Sequence, residues 1–124
     1  RRAHSVCVEI FERTAAELKP GAVPANLWEQ ACALVAREGQ AEGFMGLGRN
    51  KVPFLGHGIG LTVDETPVFA KGFVAPLEEG MVVAIEPKIG IPGIGMVGLE
   101  HTLEITASGS RSLTGTETEL ICID

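Results

Sequence analysis

The stretch GMVVAIEPKIGIPGIGMVGLEHTLEIT, from Gly80 to Thr106, contains two β-rich runs, Gly80–Ile89 and Met96–Thr106, separated by the turn-forming GIPGIG. Val, Ile and Thr suit a pleated, half-buried surface, and Pro with Gly interrupts it, so the segment predicts a hairpin or a short sheet excursion. A carboxylate follows an apolar run on each arm: Glu86 follows VVAI and Glu100 follows VGL. Ionised carboxylates are costly to bury unless they are paired or bound to a metal. Cross-strand neighbours stand about 5 Å apart, so the turn that closes the hairpin is expected to bring Glu86 and Glu100 face to face. Two facing carboxylates need a cation.

Upstream, FLGHGIGLTVDETP (Phe54–Pro67) sets His57 between glycines, and residues 43–61 are too rich in Gly for a helix. GHGIG has the look of a nucleotide-binding glycine loop, but LTVDETP follows it instead of a helix, which argues against phosphate cradling. Further upstream the periodicity is helical. From Ala3 to Leu18, apolar Val6, Ile10 and Phe11 recur with Thr14 and Leu18 at helical spacing, and Pro20 with Gly21 ends the run. A second helix is expected from Asn26, capped by its side chain with Glu29 completing a capping box, with Leu27, Ala31, Leu34 and Val35 as the buried stripe and Gly39 as the stop. ELICID at the end reads as a last strand. Helices first and strands after, without alternation, predict an α+β fold.

Length and composition narrow the function classes. The 124 residues fit one unit with one core, filled by aliphatic residues because there are five Phe, one Trp and no Tyr. A net charge of −6, with Arg1–Arg2 the only basic pair, excludes nucleic acid as a natural partner. No apolar run reaches the 18 or so residues of a membrane span, so no membrane partner is expected. Three scattered cysteines outside any CxxC pattern favour buried free thiols in a reducing, cytoplasmic setting over a disulfide framework. The absence of an initiator Met suggests a processed chain or part of a longer one.

Singly, the three polar residues have ordinary readings. His57 would be a structural histidine, Glu86 a strand-end residue facing solvent, and Glu100 a partner of Lys88 or Lys51. In order, however, GHGIGLTVDETP, LEEGMVVAIEPKI and GMVGLEHTLEIT resemble the second half of the pita-bread metallopeptidases, the family of creatinase, prolidase, Xaa-Pro aminopeptidase and methionine aminopeptidase. With LKPG closing the first helix, the resemblance extends over nearly the whole chain. It implies that residues 1–124 are the C-terminal half of a pita-bread catalytic domain: two helices, then a curved antiparallel sheet.

The resemblance further implies metal-dependent hydrolysis of peptide bonds at or near the N-terminus of a peptide substrate, of aminopeptidase or Xaa-Pro dipeptidase type. In that family two Asp, one His and two Glu hold a pair of Mn²⁺, Co²⁺, Zn²⁺ or Fe²⁺ ions, which activate a shared water. His57 matches the ligand His, Glu86 the first ligand Glu and general base, and Glu100 the second, bridging Glu. Three departures stand beside these matches. The two Asp ligands would lie before Arg1, so the chain by itself is expected to hold one ion weakly or none, and to be inactive. Asp64 occupies the catalytic position where the family commonly has a His, and Asp64 and Asp124 are the only aspartates. Gly98 stands where prolidase-like members often carry an Arg. Two rival readings follow: a non-catalytic module that binds peptides or proteins, and a fragment that forms a homodimer, its exposed half-core covered by a second copy. His101 would point to the opposite face from Glu100, and Trp28 is expected to be ordinary packing.

Overall fold

The structure is a computed structural model in which residues 1–123 are described. Winding Arg2–Glu17 into a helix (α1) gathers Ala3, Val6, Cys7, Ile10, Phe11 and Thr14 on one buried face, as the three-to-four-residue spacing predicts. The second helix (α2) spans Pro24–Arg37 and buries Leu27, Ala31, Leu34 and Val35. It starts earlier than expected. Val23 is the capping residue and makes no side-chain bond, so the Asn26–Glu29 capping box does not form. Pro24 accounts for this: its fixed φ and missing N–H suit the first helical turn, which leaves Asn26 inside the helix. Gly39, at φ +68°, ends α2 as expected, with its N–H donating to Ala36 O and that of Gln40 to Val35 O.

Seven strands follow among the described residues: β1 (Phe54–Gly58), β2 (Glu65–Ala70), β3 (Val82–Ile85), β4 (Lys88–Ile91), β5 (Gly95–Gly98), β6 (His101–Thr106) and β7 (Gly109–Ser112). Five form an antiparallel sheet in the order β2-β1-β3-β6-β7, and β4-β5 is a separate two-stranded hairpin. The hairpin expected from the sequence is therefore present, but each arm is two strands. One arm breaks at Glu86–Pro87, where proline removes a ladder N–H, and the other at Leu99–Glu100. ELICID is a correction: residues 119–123 carry no strand, and Leu120, Ile121 and Ile123 are exposed. Asp124 lies outside the described residues.

Both helices pack on one face of the sheet, α1 against β3, β4, β5 and β7 and α2 against β1 and β2. Strand β6 shows the consequence. His101, Leu103 and Ile105 are buried on the helix side, with the His101 ring 4.8 Å from that of Phe11. Alternation then puts Thr102 and Glu104 on the opposite face, and residue 100 with them. Trp28 stacks on Phe44 at 5.6 Å, which is the packing role expected of it. The cysteines do not all follow the expectation of burial: Cys7 is buried, Cys32 half-buried and Cys122 exposed, all three free.

Candidate metal centre

On the face away from the helices, three neighbouring strands set the site. His57 pairs with Ala84, so its side chain shares a face with Ala84 and, two residues on, Glu86. Ile85 stands opposite His101 on one side of the strand break and Lys88 opposite Gly98 on the other. The register is unbroken across it, so Glu86 faces Glu100, and both line a cleft of about 320 Å³ with Lys88, Met96, Gly98 and Leu99.

The glycines around His57 make this alignment possible. A Cβ on Gly56 would lie 2.1 Å from the Ala84 carbonyl oxygen, and one on Gly58 2.4 Å from that of Thr66. These glycines admit the neighbouring strands β3 and β2. His57 is buried within β1.

His57 is oriented from one side. Its Nδ1 lies 3.0 Å from the Gly58 carbonyl oxygen and 3.3 Å from Asp64 Oδ1. A carbonyl only accepts, so Nδ1 is the nitrogen that donates, and Nε2 is the ring atom left on the side of Glu86 to meet an ion. Nε2 sits 3.7 Å from Glu86 Oε1. That is long for a hydrogen bond. Two ligands about 2.1 Å from one ion at a tetrahedral angle would stand roughly 3.4 Å apart, so the spacing suits a shared cation. The donor types fit as well: one imidazole and two carboxylates are the set expected for borderline divalent ions.

By themselves these residues do not complete a metal site. Among the described residues, no three His, Cys, Asp or Glu side chains converge closely enough to hold an ion. Glu100 is exposed, and the second oxygen of Glu86 is taken by Lys88, whose Nζ lies 2.5 Å away. Lys88 thus pairs with Glu86 and not, as the ordinary reading of Glu100 had it, with Glu100. Lys51 instead donates to the carbonyls of Ala41 and Glu42 at 3.0 Å. Lys88 is the residue the sequence reading undervalued; its signal was its place two residues after Glu86 on a strand. A second omission is Glu65, which accepts from the N–H and hydroxyl of Thr62, both at 3.1 Å, and so folds the loop that carries Asp64 back to His57.

Comparison with known proteins agrees with this layout. Residues 1–107 match the model of metallopeptidase family M24. The chain is 38% identical over 121 residues to the Xaa-Pro dipeptidase of Pyrococcus horikoshii, covering 98% of this chain and 32% of that protein. It is 38% identical to the Xaa-Pro dipeptidase of Lactobacillus delbrueckii subsp. lactis, over 90% of this chain and 30% of the relative. The crystal structure of the prolidase from Pyrococcus horikoshii superimposes with a TM-score of 0.84 at 39% identity, covering 96% of this chain and 32% of that one. The X-Pro aminopeptidase from Thermotoga maritima gives 0.83 at 29% identity, over 94% and 31%. The chain spans about a third of the length of the curated relatives it matches.

Proposed function

This chain belongs to metallopeptidase family M24, and from that premise we propose that it is the C-terminal part of the catalytic domain of a peptidase that hydrolyses peptide bonds at or near the N-terminus of its substrates. The reaction is of aminopeptidase or Xaa-Pro dipeptidase type, by analogy with the relatives' names. The observation that carries the reading is the alignment of His57, Glu86 and Glu100 on the helix-free face, with His57 Nε2 directed at Glu86 Oε1.

In this reading His57 offers the Nε2 lone pair, while Glu86 and Glu100 offer carboxylate oxygens from opposite strands. The remaining ligands come from the part of the relatives' length that this chain does not match. Two divalent ions, of Mn²⁺, Co²⁺, Zn²⁺ or Fe²⁺, would supply Lewis-acid polarisation of the scissile carbonyl and activation of water. Glu86 doubles as the group that takes and returns a proton, because a carboxylate held against an imidazole on one side and an ammonium on the other still has acceptor capacity. Asp64 acts on His57 from behind, in place of the substrate contact that a His there would make. The chain alone is inactive, with three of the five ligands that the resemblance implies. Its working environment is the cytoplasm; it needs neither nucleic acid nor membrane, and no helix among the described residues is long and apolar enough to cross one. Burial of its exposed apolar residues, such as Leu61 and Ile94, falls to the rest of the domain, with homodimerisation the competing outcome.

The direct test is hydrolysis of Xaa-Pro dipeptides by a polypeptide of the relatives' length that contains this chain, with added Mn²⁺ or Co²⁺. Turnover that a chelator abolishes and that Glu86→Gln reduces by at least a hundredfold is expected. Metal-independent turnover, or peptide binding with no turnover at all, would favour the non-catalytic module.

A further inference from the structure

The cleft between β3–β4 and β5–β6 holds an arrangement that a bare ligand set does not explain. Like charges directly opposite across strands are unfavourable, yet Glu86 and Glu100 face each other there. Lys88 is the only basic group among the residues that line the cleft. Its ammonium sits on one oxygen of Glu86, Oε2, while the other, Oε1, is directed at His57. The opposing strand leaves room for this. Gly98 is the cross-strand partner of Lys88, and a Cβ there would lie 2.8 Å from Lys88 Cβ and 2.5 Å from the Pro87 carbonyl oxygen. Any side chain at 98 would disturb the path by which the lysine stem crosses to Glu86.

We propose that Lys88 is a tethered counter-cation of this half-site: its ammonium occupies Glu86 when no divalent ion does, and a divalent ion must displace it to bind. The inference rests on the metal role assigned to Glu86 above. Lysine suits the task, since it carries a point charge on a flexible four-carbon stem and can leave where a bidentate guanidinium would hold. The Lys88 side chain is 32% exposed, which leaves it a way out to solvent. Two consequences follow. Without metal, Lys88 relieves the repulsion between the facing carboxylates and stabilises the strand break. With metal, the site is competent only in the fraction of molecules whose lysine has swung away, so the apparent affinity is weakened by that fraction. A pair formed about nine-tenths of the time weakens it about tenfold.

The test uses this chain, its Lys88→Met and Lys88→Gln variants, Glu86→Gln and the Lys88→Met/Glu86→Gln double variant. Each is titrated calorimetrically with MnCl₂ and CoCl₂ and melted without metal. Removing the ammonium is expected to tighten Mn²⁺ binding about tenfold in both Lys88 variants. The metal-free melting temperature is expected to fall, by less in the double variant than the single changes add up to. Equal or weaker Mn²⁺ binding in the Lys88 variants, with wild-type binding intact, overturns the counter-cation and leaves the metal role of Glu86 standing. No detectable binding in the Lys88 variants, as in the wild type, overturns the counter-cation, because freeing Glu86 then gains no ion; the metal role of Glu86 is judged separately by chelator-sensitive turnover of the longer polypeptide. Strictly additive melting shifts overturn the pairing of Lys88 with Glu86 whatever the metal does.

Discussion

Replacing Gly56 by alanine tests whether the packing of β1 against β3 is what holds His57 at Glu86. The added Cβ would lie 2.1 Å from the Ala84 carbonyl oxygen and 3.1 Å from Ile85 Cδ1. An ordinary close C···O contact is about 3.3 Å, so the strands must separate by about 1 Å. The obstacle is backbone, which cannot rotate away as a side-chain tip could. Ladder bonds near 2.9 Å would stretch beyond useful length at Gly56–Ile85 and His57–Ala84. Two lost bonds at about 1 kcal/mol each, with packing strain of about 1–3 kcal/mol, outweigh the roughly 0.5–1 kcal/mol gained by restricting the unfolded chain. The net is a loss of about 3 kcal/mol. Urea denaturation followed by circular dichroism measures it, with Gly109→Ala as the control, because a Cβ there meets nothing within 4 Å. The control should stay within about 0.5 kcal/mol of wild type. A Gly56→Ala protein within about 1 kcal/mol of wild type would refute the argument, because the strand approach would then tolerate a methyl group.

Two further outcomes are expected. Burial pushes the Cys7 thiol up to about 12 from an ordinary 9.0; a raised value means the folded state holds the proton more tightly, so stability is intact below about pH 9 and lost as pH climbs toward 12. At pH 10.5 the wild type should have lost about 2 kcal/mol more, relative to pH 8, than Cys7→Ala, and parallel urea midpoints for the two proteins would contradict this. Asp64→Asn should leave stability nearly unchanged, since the carboxylate is largely exposed, yet weaken Mn²⁺ binding about tenfold, the low end for groups that orient a ligand histidine. Calorimetry with equal affinities for both proteins would remove Asp64 from the site.

The two helices and the cross-strand meeting of Glu86 with Glu100 were legible in the sequence because each follows from a period. The stripe Val6, Ile10, Phe11 and Thr14 has a helix's spacing, and the carboxylates flank one turn. His101 was correctly turned away from Glu100, since alternation along a strand fixes opposite faces. What escaped depends on competition between local signals or on contacts distant in sequence. Asn26 is a good cap, but Pro24 is a better helix start and came first. ELICID has strand composition, but composition does not supply a neighbouring strand to pair with. Which backbone the glycines beside His57 admit is set by the register of β1 with β2 and β3, contacts distant in sequence. That Lys88 pairs with Glu86 was not legible, because Glu86 and Glu100 are equally plausible partners until Pro87 and Gly98 fix the course of the stem.

Isothermal titration of this chain with Mn²⁺ and Co²⁺, beside His57→Ala and Glu100→Ala variants, bears most directly on the claim that His57, Glu86 and Glu100 are the chain's share of a metal centre. Saturable uptake of at most one ion, weak in the wild type and lost in both variants, is the predicted result. Uptake that survives both substitutions would contradict the account, because the ion would then be held somewhere other than at these three residues.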